Sequence, residues 1–225
     1  MKNIDEAEIL WWFGVLHTDC YVHKKCGKIV ELRLLVSEKS LPMLIKWKRI
    51  LDQLTGKEHW IERWKTYDKR YDKSWMRFVV RDASFSRIAI LLQKIPCPMF
   101  GDDFAEWIRS KPLGPYLAGV IDGDGHIQIR KRYFDRGYEK LMKITDCKSD
   151  NLLLIQKLLV GCGMPKGYIT EYKNHSDLWV YINKNFEKWL INNVAPYLTI
   201  ERKLRKILPS EAQVERAKLS PDVVV

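Results

Sequence analysis

Leu117-Ala118-Gly119-Val120-Ile121-Asp122-Gly123-Asp124-Gly125 is an apolar run of very small residues that ends in two closely spaced carboxylates. A looser copy, Trp12-Phe13-Gly14-Val15-Leu16-His17-Thr18-Asp19-Cys20, lies near the N-terminus. Aligned on their glycines, both copies carry Gly at position three (Gly14, Gly119) and Asp at position eight (Asp19, Asp124). The two aspartates are 105 residues apart (124 − 19), about half of the 225-residue chain. Helix backbones nearly touch only where the contacting residues lack bulk. The repeat therefore predicts two motif helices packed at a pseudo-twofold axis, each ending in an Asp that projects beyond the interface. Two carboxylates that close repel. A divalent cation relieves the repulsion, and hard oxygen donors favour Mg²⁺ or Ca²⁺. Carboxylate-held Mg²⁺ is suited to phosphodiester hydrolysis.

Lys and Arg number 39 against 28 Asp and Glu, a net charge of +11. That balance suits a polyanionic partner such as DNA or RNA. A membrane surface is disfavoured, because the charge is spread over both halves without a polybasic amphipathic helix. No apolar run reaches the roughly 18 residues needed to span a bilayer. Met1-Lys2-Asn3-Ile4-Asp5-Glu6 does not resemble a signal or transit peptide. Five cysteines (Cys20, Cys26, Cys97, Cys147, Cys162) show no paired CxxC spacing. They read as reduced thiols of an intracellular protein, cytoplasmic or organellar and not secreted.

Periodicity divides the chain into a half at 1–95, a linker at 96–112, a second half at 113–208 and a mobile polar tail at 209–225. Each half reads helix, two strands, helix, two strands, helix, an α+β class built from two pseudo-twofold-related αββαββα units. In the first half these are helix 6–18, strands 21–25 and 29–36, helix 41–54, strands 59–67 and 75–81, and helix 85–95. In the second they are helix 113–122, strands 126–134 and 138–145, helix 150–160, strands 167–173 and 177–182, and helix 184–193. Short helices are expected at 103–109 and 200–208. Helices covering one face of each antiparallel sheet leave the other free, a saddle-like surface able to follow a duplex.

Alternation assigns residues to that free face. After Asp124 the row is His126, Gln128, Arg130 and Arg132, with Ile127 and Ile129 between them facing the helices. The first half offers Tyr21, His23, Lys25, Glu31, Arg33, Arg77 and Arg81. Lys143, Thr170, Tyr172, Trp179 and Tyr181 complete the candidate nucleic-acid face. Arg and Gln suit purine edges in the major groove, whereas Lys mostly contacts phosphate.

At these two motifs the sequence resembles the LAGLIDADG homing endonucleases, in the single-chain form with two motifs. The second copy departs from the namesake only at Val120 and Gly123. The resemblance implies that Asp19 and Asp124, with the backbone of Thr18 and Gly123, are metal ligands. Mg²⁺ would be the cofactor, with Mn²⁺ as substitute and Ca²⁺ supporting binding but little cleavage. It also implies polar and basic residues around the metals. By pattern these are Glu38 and Lys39 in the first half and Asp146 in the second, with Lys94 and Lys203 (Arg202 second) as further basic candidates. Glu38 and Asp146 stand where the family more often has Gln or Asn, adding negative charge near the metals.

The implied activity is sequence-specific cleavage of both DNA strands by a monomer, leaving short 3′ overhangs at a long asymmetric site, in intron homing. An RNA-splicing maturase, with the host intron RNA as partner, and a non-catalytic DNA-binding regulator are the alternatives on the same fold. The first motif diverges most. His17 replaces an Asp expected to cap its own helix, Thr18 replaces a small residue, and Cys20 stands where glycine would relax φ.

Overall fold

The structure, a computed structural model, describes residues 4–25, 28–68, 73–82, 103–131, 138–147 and 149–208. The chain divides into two compact units, Met1–Asp124 and Gly125–Val225. The second motif helix belongs by packing to the first unit, because its small-residue face is buried there. Each unit carries one four-stranded antiparallel sheet, as the α+β expectation requires. The expected helix at 85–95 lies outside the described residues.

In the first unit, α1 (Glu6–Thr18) starts at Asp5, whose carboxylate accepts from the Ala7 amide, with Glu6 and Glu8 in the first turn. Acidic residues there complement the helix dipole. The helix is apolar on nearly every side, and every residue from Leu10 to His17 is buried. A helix of that composition needs cover all round. Part of that cover is α2 (Leu41–Thr55), which opens with Pro42 in its first turn and stops at Gly56 in the left-handed region, φ 65°; both residues suit those places. Trp47 of α2 stacks on Trp12 at 5.4 Å. From α3 (Asp103–Arg109), Trp107 meets Phe13 edge-on at 5.7 Å.

The last element of this unit, α4 (Leu113–Gly123), is buried from Leu113 to Asp122. It crosses α1 with backbones in contact. A Cβ on Gly14 would lie 2.2 Å from the Tyr116 carbonyl oxygen, and one on Gly119 2.1 Å from that of Trp11.

Strands β1 (Cys20–Lys25), β2 (Lys28–Ser37), β3 (Glu62–Asp68) and β4 (Lys73–Asp82) assemble in the order β1-β2-β4-β3. Leu32, Leu34, Val36 and Val80 face the helices and are buried. The strand expected from His59 begins only at Glu62. His59 is instead anchored beneath the sheet: its amide (3.0 Å) and Nδ1 (2.7 Å) meet Asp52 of α2, and Nε2 lies 3.4 Å from Asp82.

The second unit repeats the topology as β5-β6-β8-β7, from β5 (Gly125–Lys131), β6 (Tyr138–Asp146), β7 (Tyr168–Glu171) and β8 (Ser176–Tyr181). Its helices are α5 (Ser149–Gly161), α6 (Lys184–Asn193) and α7 (Glu201–Ile207). Asn183 caps α6 by accepting from the Phe186 amide at 2.8 Å. Ile127, Met142, Ile144, Leu178 and Val180 form the covered face. Ile129 departs from the expected packing: it is 56% exposed, near the far end of β5.

Candidate metal centre and nucleic-acid interface

The two motif aspartates occupy matched positions. Asp19 is the C-cap of α1, with φ −90° and ψ −8°, its amide donating to the Val15 carbonyl. Asp124 is the C-cap of α4, with φ −93° and ψ 4°, its amide donating to Ile121 and Val120. The helix ends abut, since a Cβ on Gly123 would lie 3.6 Å from the Asp19 Cβ and 2.1 Å from the Thr18 hydroxyl. Two sequence departures at position seven, Thr18 and Gly123, thus compensate each other in volume. Gly125, at position nine, does not have positive φ. A left-handed backbone is therefore not what places glycine there, and the φ-based strain expected at Cys20 has no basis. Cys20 is instead a buried first residue of β1, with its thiol near the Arg33 carbonyl at 3.5 Å.

Position six makes a bond that helix capping does not predict. In both motifs it reaches across the interface to the aromatic residue preceding the other motif. His17 Nδ1 meets Tyr116 Oη at 2.5 Å, and Asp122 accepts from Trp11 Nε1 at 3.0 Å. Here His17 substitutes for a carboxylate without losing the cross-helix bond.

The aspartate oxygens are hard donors suited to Mg²⁺ or Ca²⁺. Among the described residues there is no cluster of three His, Cys, Asp or Glu side chains able to hold a metal. Mg²⁺ is usually bound by one or two carboxylates together with water and phosphate oxygens.

The surrounding candidates are placed differently from one another. Glu38 and Lys39 are exposed on the short 3₁₀ turn Glu38–Ser40 after β2. Asp146 ends β6 on the covered face, 9% exposed, and accepts from Asn151 of α5 at 2.9 Å. Their registers also differ. Asp146 lies two residues beyond the partner of Gly125, whereas Glu38 lies four beyond the partner of Cys20. Lys203 is buried in α7 and, with Lys206, Arg202 and Lys143, acts electrostatically on His126. Burial is the largest influence pushing the His126 pKa below 6.5, and those four cations push it the same way. Lys94 and Arg132 lie outside the described residues. Lys25 and Arg130 fall in β1 and β5, opposite Lys28 and Glu139.

On the open face of the first sheet the expected phase holds for Tyr21, His23, Glu31, Arg33, Arg77 and Arg81, which pair as Tyr21↔Arg33, His23↔Glu31 and Arg33↔Arg81. Glu31 Oε2 accepts from Arg81 Nη2 at 3.5 Å, while its Oε1 lies 2.9 Å from Arg81 Nε and 3.9 Å from Arg33. The Arg33 guanidinium lies over Tyr21 at 4.6 Å and over Trp64 at 5.5 Å. Trp64 was not anticipated, although alternation along β3 would have placed it beside Glu62 and Thr66.

On the second open face, His126, Gln128, Lys143, Thr170, Trp179 and Tyr181 share one side, joined by Tyr168 and Asp177. Asp177 is a further residue that the alternation pattern did not single out. It is 1% exposed, 2.8 Å from Lys143 and bonded by the Thr145 hydroxyl. Lys143, which also lies over Trp179 at 5.2 Å, is therefore already ion-paired. Tyr172 lies just beyond β7 and stacks on His175 at 4.7 Å.

The chain matches no protein-family model and no curated protein in sequence. In structure it is similar to the homing endonuclease I-WcaI bound to its DNA recognition sequence: TM-score 0.63, 13% identity, 92% of this chain and 88% of that one. It is also similar to the LAGLIDADG meganuclease I-AabMI bound to uncleaved DNA: TM-score 0.56, 14% identity, 93% and 92% covered. The N-terminal LAGLIDADG domain of WhiA gives TM-score 0.52 at 13% identity, with 96% and 89% covered. The fold is that of the LAGLIDADG homing endonucleases, and the resemblance first carried by two short motifs extends over most of the chain.

Proposed function

We propose that this protein is a sequence-specific, divalent-metal-dependent DNA endonuclease that cuts both strands of a long asymmetric site. The observation that carries the reading is the pair of aspartates. Asp19 and Asp124 cap two helices in backbone contact, with nearly identical φ and ψ. A purely structural role for either acid would not need that equivalence. The DNA-bound proteins sharing this fold support double-stranded DNA as the partner.

Asp19 and Asp124, with backbone oxygens at Thr18 and Gly123, would hold Mg²⁺. Bound there, Mg²⁺ supplies Lewis acidity toward a phosphate oxygen and a water of lowered pKa. The chain's own residues do the rest. Arg33, held against Tyr21 and Trp64, and Gln128 present donors to base edges. Lys203 and Lys206 place positive charge beside the strand that leaves Asp124. Different residues on the two open faces suit a non-palindromic target, one half-site per sheet. Short 3′ overhangs and intron homing are the finer form of this reading.

A test is incubation with Mg²⁺ and a randomised duplex library, followed by sequencing of cut ends. Expected are double-strand breaks with short 3′ overhangs at one long site, lost in Asp124→Asn while DNA binding in Ca²⁺ persists. Cleavage by Asp124→Asn at the wild-type rate, or no cleavage by wild type in Mg²⁺ or Mn²⁺, would overturn the assignment.

A further inference from the structure

Beneath the motif helices of the first unit lies a charged group that the nuclease reading does not use. Lys46 projects from α2, and its ammonium sits 4.1 Å from the centre of the Trp11 ring. The same Trp11 donates from Nε1 to Asp122 at 3.0 Å, and Asp122 is 1% exposed. Burial depresses the Lys46 pKa most strongly, while the charges of Asp122 and Glu8 act in the opposite direction. A buried carboxylate two residues before Asp124 is costly without a counter-charge, and Lys46 supplies one.

The repeat offers an internal comparison. Buried Leu44, Trp47, Ile50 and Leu51 of α2 correspond to buried Leu152, Ile155, Leu158 and Leu159 of α5, an offset of 108 (152 − 44). At that offset Lys46 corresponds to Leu154. The residue corresponding to Asp122 in the other motif is His17. The cation of the first half and the buried acid of the second are therefore both replaced at the corresponding positions of the other half, by Leu154 and His17.

We propose that Lys46 is a positioning residue: through Trp11 it holds the Asp122 carboxylate and thereby fixes the end of α4, from which Asp124 projects. The step from α4 geometry to catalysis rests on the nuclease reading above; the step from Lys46 to Asp122 does not. Neutralising Lys46 alone strands a buried negative charge, whereas neutralising both members together removes the need for either.

The test is a double-mutant cycle with Lys46→Met, Asp122→Asn and the double variant, plus Lys46→Arg as the charge-conserving control. Thermal melting and single-turnover cleavage are both read. Lys46→Met is expected to lower the melting temperature by roughly 5 °C and to slow cleavage about tenfold with DNA affinity unchanged. Adding Asp122→Asn recovers most of both losses, and Lys46→Arg retains most of the wild-type rate. A double variant that merely sums the single effects would show that Lys46 acts as packing and overturn the proposal. If wild type cuts no DNA, the nuclease reading fails, and the melting cycle alone decides whether Lys46 holds Asp122.

Discussion

The Thr18 hydroxyl fills the space that a side chain at Gly123 would need: a Cβ there would come within 2.1 Å of Thr18 Oγ1. Both residues stand at position seven of their motifs. One is larger and the other smaller than the alanine of the motif's namesake. The hydroxyl is itself bonded to the Gly14 carbonyl at 3.1 Å, so it cannot simply turn away.

Gly123→Ala alone is therefore expected to cost about 1–3 kcal/mol, the usual range for overpacking. Combined with Thr18→Ala it should return close to wild-type stability. Melting of the two single variants and the double variant checks this, and additive losses would exclude volume compensation.

Gly119→Ala should be harsher, because the obstruction is the Trp11 carbonyl at 2.1 Å and the Gly14 Cα at 3.0 Å, both backbone. A loss of about 3 kcal/mol or more is expected, with no single side-chain substitution able to relieve it. Chemical denaturation measures the loss; a variant as stable as wild type would contradict the helix contact.

His126 gives a pH dependence with a defined sign. Its folded pKa lies below the ordinary 6.5, from burial first and then from Lys206, Lys203, Arg202 and Lys143. Through this group the folded protein binds fewer protons than the unfolded chain, so stability rises with pH. The penalty appears as pH falls through about 6.5 and grows until the folded imidazole also takes its proton. Melting temperature followed from pH 8 to pH 5 should fall less in His126→Gln than in wild type. Identical slopes would remove His126 from the cation cluster.

Glu31 occupies two arginines on the open face of the first sheet. Glu31→Gln releases Arg81 for phosphate, while Arg33 stays against Tyr21 and Trp64. The slope of log affinity against log salt should steepen by about one unit, with tighter binding to non-cognate DNA at low salt. An unchanged slope would mean that Arg81 does not reach the backbone of the duplex.

Much of this molecule is legible in its residue pattern. Small residues at Gly14 and Gly119 demand a close helix crossing, and alternation puts Tyr21 and Arg33 on one face of the first sheet and His126 and Gln128 on one face of the second. Local rules of that kind depend only on backbone period. They failed where long-range packing outweighed them. His59 reads as strand, yet Asp52 of α2 bonds both its amide and its ring beneath the sheet. Ile129 alternates correctly but lies where it is not covered.

The sequence by itself determined the two helix-and-aspartate units, the repeated ββαββ order and the basic open faces, because each follows from side-chain size, period and charge along a short stretch. Only the tertiary structure decided who answers whom across that framework. It set His17 against Tyr116, Asp122 against Trp11 and Lys46, Thr18 against Gly123, and Asp177 against Lys143. Those pairings depend on helix crossing and strand register, which bring together residues separated by up to 111 positions. No local propensity encodes that proximity, and the desolvation of a buried charge or the volume of a missing side chain acts only once the chain has folded.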